Sequence, residues 1–213
     1  FSYGKAEVEE RNFEQGLINK TIDEDLLESN YAKKVVSDWL ETNAFGKKII
    51  TITIRNLAFD KVRNMDVEEF LKFVEKIDLN KFYVIFIPDT DQPVIKNLKK
   101  NKLLKNELGY AAAYSISIRY SLYKASFLNF MVPNGPNNLV LYNKIPYILF
   151  LKTLFKSTVF GEKNPIKDLP FYINQTTMQS KWASHNQILT YADQNENEIT
   201  KIFKEYCKKN EIH

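Results

Sequence analysis

The chain has 213 residues, 44% of them hydrophobic and 26% charged, with 15 Phe and 12 Tyr, so it can bury a sizeable core and is not a disordered segment. Its net charge of +4 comes from lysines dispersed among acidic residues. There is no basic stripe with interleaved aromatics, which excludes the usual nucleic-acid surface, although 96–105 is locally lysine-rich. A single cysteine, Cys207, excludes an intramolecular disulfide, and with only His185 and His213 besides, a thiolate or histidine metal centre is excluded too. The reducing cytoplasm is the expected compartment. No apolar run reaches transmembrane length and no signal peptide is visible. Because the chain starts with Phe1, an upstream portion is expected.

Residues 1–29 are polar and weakly periodic, with a helix-start pattern at Thr21-Ile-Asp-Glu24, and read as a connector or the remnant of a preceding domain. The domain proper is expected over 30–213. Tyr31, Val35, Trp39 and Leu40 recur at helical spacing over 30–45, and Gly46 supplies a stop. Residues 48–55 are almost all β-branched, which predicts a strand buried on both faces and ending in Arg55. Ligands of open α/β sheets collect outside the carboxyl ends of the strands, so Arg55 is a candidate for anion recognition; pairing with Asp60 is the alternative.

A polar loop over 56–65 carries Arg63, and a helix follows with Asp66 as N-cap and Glu69 closing the cap. Phe82 to Ile87 predicts a second strand, running into Pro88-Asp-Thr-Asp91. Asp89 and Asp91 there suit a hydroxyl-rich ligand or Mg²⁺, or alternatively cap the next helix. Residues 92–106 read as a basic solvated helix or loop. Residues 110–128 read as mostly helical, with Ile116, Tyr120, Tyr123 and Phe127 spaced for burial and Arg119 within. Only four of the 30 basic residues are arginine, which makes each worth placing.

The stretch 127–151 organises the rest: an apolar run, the turn Pro133-Asn-Gly-Pro136, a short helix over 137–142, and a second apolar run after Pro146. That is strand, turn, helix, strand, the unit of a parallel α/β sheet. Gly135 can take a positive φ, and Pro136 suits the first helical position. The amides of Asn137 and Asn138 are then expected to point outward at the positive end of the helix dipole, where an anion would sit. An ordinary helix-starting turn is the plainer reading. Residues 152–168 read as a loop. Gln175, Gln179, Trp182, Asn186 and Gln187 suit sugar or base recognition as well as a polar loop. A helix over 195–208 turns Ile199, Ile202, Phe203 and Tyr206 inward.

In this order the chain resembles the carboxyl-terminal, donor-binding domain of GT-B glycosyltransferases, most of all the bacterial heptosyltransferase and fucosyltransferase-like groups. Two motifs carry the likeness: Thr51-Ile-Thr-Ile-Arg55, similar to the strand ending in Arg in both groups, and Asn134-Gly-Pro136 with its following helix and strand, similar to the Gly-Pro helix start of heptosyltransferases. The likeness spans about 48–151, with weaker support to 208. Asn137-Asn138 departs from the heptosyltransferase pattern, and Thr53 stands where fucosyltransferase-like enzymes tend to carry His, which leaves the sugar open.

The resemblance implies a Rossmann-like parallel sheet with helices on both faces, forming one half of a GT-B architecture. It implies a nucleotide diphosphate sugar as donor substrate, a cell-surface glycan or lipid-linked acceptor that could bring the protein to the membrane periphery, and no metal or cofactor. Arg55 and Arg119 would stabilise the leaving diphosphate, with Asn134, Gly135, Pro136, Asn137, Asn138, Asp89 and Asp91 holding the donor. The acid–base residue would lie in the other half. Two readings compete: a nucleotide-sugar epimerase relying on Asp89, Asp91 and Glu162, and a non-catalytic α/β binding domain. The oligomeric state is not legible.

Overall fold

The computed structural model describes residues 28–58, 61–89, 102–141, 143–151, 179 and 183–212. Five strands form one parallel sheet: β1 (Lys48–Thr53), β2 (Phe82–Ile87), β3 (Leu128–Met131), β4 (Tyr147–Phe150) and β5 (Gln187–Thr190), in the order β2-β1-β3-β4-β5. Parallel strands need long crossovers, and the helices that make them cover both faces. The chain therefore adopts the expected three-layer, Rossmann-like α/β architecture. It leaves β1 toward β2 on one side and returns to β3 on the other, so the strand order reverses between β1 and β3. That reversal opens a crevice at the carboxyl ends of the strands.

One face carries α1 (Asn30–Ala44), α3 (Glu107–Tyr114), α4 (Ile116–Ala125) and the short α5 (Asn138–Leu141), packed on Ile49, Ile85, Ile87, Met131, Tyr147 and Leu149. The other carries α2 (Val67–Lys76) and α6 (Glu196–Lys209), packed on Ile50, Ile52, Phe86, Phe130 and Phe150. Alternation along β1 sorts these sets, because successive side chains of a strand point to opposite faces. The α2–α6 side is built from aromatics: Phe73 meets Phe130 at 5.4 Å and Phe203 at 5.3 Å, both edge-on, while Phe70 meets Phe150 at 5.8 Å. Edge-to-face pairs of this kind add about 0.5–1.5 kcal/mol each beyond burial.

Two glycines set the helix packing on the opposite side. Gly46 takes φ +73°, ending α1 in the left-handed region. Gly109 lets α3 approach β2 so closely that a Cβ would stand 2.2 Å from the Phe86 carbonyl oxygen.

Several local expectations are corrected. The helix anticipated over 110–128 is two helices, because Ser115 closes α3 through its backbone N–H to Ala111 and opens α4 by accepting from Ile118 N. Ile116 falls on the outer first turn of α4 and is 61% exposed. In α1 the buried positions are Ala32, Val36 and Ala44, with the anticipated Trp39 and Leu40 packed half-buried against the same core, while Tyr31 is exposed. Asp66 caps α2, but the cap box is open: Glu69 Oε2 accepts instead from Glu196 N at 2.7 Å, tying α2 to the start of α6. The pattern at 21–24, the segments 92–101 and 152–168, and Tyr142, Gln175 and Trp182 lie outside the described residues. Among the described residues no helix is long and apolar enough to cross a membrane.

Candidate functional site

The crevice at the strand-order reversal is a cleft of about 330 Å³, in the lower range for small-molecule sites. It is walled by the carboxyl ends of three strands and the residues after them: Thr53, which ends β1, with Ile54, Arg55 and Leu57, then Pro88 and Asp89 after β2, and Asn134 to Pro136 after β3. Arg63 and Arg119 complete it. Arg55, Arg63 and Arg119 are three of the chain's four arginines, and the fourth, Arg11, lies outside the described residues. Every described arginine therefore lines one cleft, against Asp89 as its one described carboxylate.

Among the described residues each guanidinium donates to an acceptor on a different element. Arg55, 3% exposed and two residues past the end of β1, donates from Nη1 to Asn64 Oδ1 at 2.9 Å. Arg63 ends the 3₁₀ turn Lys61–Arg63 and donates from Nη2 to the Pro133 carbonyl at 3.1 Å, pinning the loop after β1 to the turn after β3. Arg119 reaches back from α4 to the end of α3, with Nε to Ala112 O at 2.7 Å and Nη2 to Ala113 O at 3.2 Å. Those carbonyls belong to the last turn of a helix, where no intrahelical donor remains and the dipole is negative. Among the described residues Arg119 Nη1 makes no hydrogen bond, which leaves one edge of a fixed guanidinium for a ligand.

Asn64 is the hub of the loop that crosses the strand ends. Besides Arg55, its Oδ1 accepts from Leu57 N at 2.9 Å, while its Nδ2 donates to Leu57 O at 3.0 Å and to Asn56 Oδ1 at 3.2 Å. Asp89 accepts from Asn56 N through Oδ2 at 3.0 Å, joining the ends of β1 and β2. Beneath the cleft, Thr53 Oγ1 and the Tyr123 hydroxyl lie 2.8 Å apart. Burial pushes the Tyr123 phenol pKa up, and the nearby Arg119 charge and the Thr53 hydrogen bond oppose that rise.

Of the anticipated site, Arg55, Arg119, Asp89, Asn134, Gly135 and Pro136 come together, and Asp91 lies outside the described residues. Asn137 and Asn138 do not line the cleft. Their amides do not point outward: Asn137 N donates to Asn134 O at 3.2 Å, and Asn138 N to the Gly135 and Pro136 carbonyls. The turn after Gly135 tightens into a 3₁₀ helix, Gly135–Asn137, whose i→i+3 bonds engage the donors that an α-helix would leave open. Gly135 has no positive φ, and a Cβ there would meet no atom within 4 Å.

The glutamines anticipated for sugar contact are engaged in the fold. Gln187, 3% exposed, donates from Nε2 to the carbonyls of Val140, Asn143 and Ile145, and Gln179 bonds both backbone groups of Leu189. Arg63, Asn64 and Thr53 were missed as site residues. The scarcity of arginine was the available signal for Arg63; Asn64 gave none.

Among the described residues no group of three or more His, Cys, Asp and Glu is placed to hold a metal ion. No protein-family model, curated protein or solved structure matches the chain.

Proposed function

We propose that the cleft binds the diphosphate of a nucleotide sugar and that the chain is the donor-binding half of a glycosyltransferase. The observation that carries the reading is the convergence of Arg55, Arg63 and Arg119 on one cleft at the strand-order reversal. Guanidinium groups bind phosphate oxygens in pairs, and three of them converging on one cleft, each oriented by hydrogen bonds to the fold, form a preorganised positive site. Such a site favours the charge that grows on a departing diphosphate over the ground state, so it lowers the barrier to transfer. Arginine supplies that charge without a metal in this reading. No residue of this chain is assigned as the base that deprotonates the acceptor, which is a glycan or lipid-linked acceptor in this reading.

A non-catalytic binding domain shares the same cleft, and one observation favours it: Asp89, the described carboxylate there, accepts from the Asn56 backbone and ties strand ends together. The epimerase reading has nothing comparable, because Asp91 and Glu162 lie outside the described residues.

Calorimetric titration with UDP, GDP, ADP and their sugar conjugates tests the proposal. One nucleotide class is expected to bind saturably, and Arg55→Ala or Arg119→Ala to weaken it by about tenfold or more, as one charge-assisted contact is worth. A folded protein that binds none of them would refute it. Binding without nucleoside diphosphate release, in the presence of acceptor and the remainder of the enzyme, would favour the non-catalytic reading.

A further inference from the structure

Six described helical turns begin with a side chain suited to capping, and five use it. Ser29, Asp66, Asn106, Ser115 and Asn195 each accept from the backbone N–H three residues on, at 2.9–3.3 Å. Asn134 is the sixth, with the extended backbone of an N-cap (φ −153°, ψ 174°), yet its side chain makes no capping hydrogen bond. Its Oδ1 is sealed from water and has no hydrogen-bond partner. A buried acceptor left unpaired is costly, and Asn106 and Asn195 show that the same residue type satisfies itself elsewhere in this chain.

Asn134 lines the cleft with the three arginines. We propose that its amide oxygen accepts a hydrogen bond from a sugar hydroxyl of the bound ligand, so that the cleft takes a sugar phosphate ester rather than an inorganic phosphate chain. The inference rests on the reading of the cleft as a diphosphate site.

Guanidinium groups only donate, and phosphate oxygens at neutral pH almost only accept. A ligand made of phosphate alone would satisfy the arginines but would leave Asn134 Oδ1 facing another acceptor. A ligand that carries hydroxyls beside its phosphates satisfies both. A small rotation about the soft terminal torsion of asparagine opens Oδ1 to such a ligand, short of the half-turn that would present the Nδ2 donors to a phosphate instead. Gly135, next in the chain, puts no side chain in the way. Asn137 Oδ1 also lacks a partner, but Asn137 does not line the cleft, so the assignment falls on Asn134.

The test is calorimetric titration of the wild type and Asn134→Ala with pyrophosphate, with UDP, GDP and ADP, and with UDP-glucose, GDP-mannose and ADP-glucose; thermal unfolding confirms that the variant is folded. The variant is expected to keep its pyrophosphate affinity within about twofold and to lose about tenfold for the hydroxyl-bearing ligand that the wild type prefers. A loss seen already with the nucleoside diphosphate places the hydroxyl on the ribose; a loss confined to the conjugate places it on the transferred sugar. Equal losses for pyrophosphate and nucleotide, no loss for either, or a wild type that prefers pyrophosphate would overturn the assignment while leaving the anion site standing. A wild type that binds no probe would overturn both. Should the alanine variant unfold, Asn134→Ser shortens the side chain while keeping a residue suited to helix starts, and gives the same reading.

Discussion

The two faces of strand β1 divide the molecule's work. Toward α2 and α6 it presents Ile50, Ile52 and Ile54 to a dry aromatic layer, where Phe73 and Phe130 are fully buried. Toward α3 and α4 it presents Thr51, Thr53 and then Arg55, whose side chains meet Asn129, Tyr123 and Asn64. The aromatic face needs only shape and apolarity, so it can hold the sheet together without constraining chemistry. The polar face must satisfy every buried group it carries, and it delivers that polarity to the cleft. Stability and recognition are thus concentrated on opposite sides of one six-residue strand.

That separation can be broken from either side. The largest effect is expected for Phe73→Ala, which empties the centre of the aromatic layer: a loss of about 3–5 kcal/mol in urea unfolding, with ligand affinity of the folded fraction unchanged. A loss below about 1 kcal/mol would mean that the layer is not the keystone. Gly109→Ala comes next, at about 1–3 kcal/mol, because its Cβ would collide with the Phe86 carbonyl. It sharpens the comparison, since pushing α3 off β2 also moves the Ala112 and Ala113 carbonyls that aim Arg119. Stability and ligand affinity should therefore fall together in this variant; a fall in stability alone would detach Arg119 from the cleft. Thr53→Val should cost about 1–2 kcal/mol by stripping the buried Tyr123 hydroxyl of its partner.

The smallest effects concern ionisation on the aromatic side. Burial pushes the Cys207 thiol up to about 11. The unfolded thiol ionises first as pH rises, so its contribution to stability is intact below the ordinary thiol pKa and declines from there toward the folded value. Ellman's reagent at pH 8 should find no reactive thiol in the folded protein and one in urea. Glu196 is held below the ordinary carboxylate range by Lys76 and Thr200, and Glu69 by Lys72 and the Glu196 backbone. Depressed carboxylates stabilise the fold above the ordinary carboxylate pKa and lose that contribution as pH falls through the lowered value. Glu196→Gln should flatten the acid limb of the stability profile slightly; an unchanged limb would place the acid sensitivity elsewhere.

The layered sheet was legible because its signals are local. The β-branched run into Arg55 and the aromatic run into Pro88 announce buried parallel strands whatever surrounds them. The fifth strand, Gln187–Thr190, was not, because a strand of four residues in which polar Gln187 takes a buried position has little hydrophobic periodicity to read. In the site, Arg55 and Asn134 to Pro136 were legible from strand-end logic. Arg63 and Asn64 were not, since their place depends on how the loop after β1 folds back over β3, a contact 70 residues apart for Arg63 and Pro133. The turn after Gly135 misled, because helix-start residues do not reveal whether the first turn will be α or 3₁₀.

Arg63 therefore offers the most direct test of the cleft as a single three-arginine anion site, because only the folded geometry includes it. The measurement is the affinity of the best-bound nucleoside diphosphate for the wild type and Arg63→Ala at low and at physiological salt. The predicted result is saturable wild-type binding that weakens as salt rises, and a variant about tenfold weaker with a shallower salt dependence. Arg63→Ala binding as tightly as the wild type, with the same salt dependence, would contradict the claim that the three arginines act on one ligand.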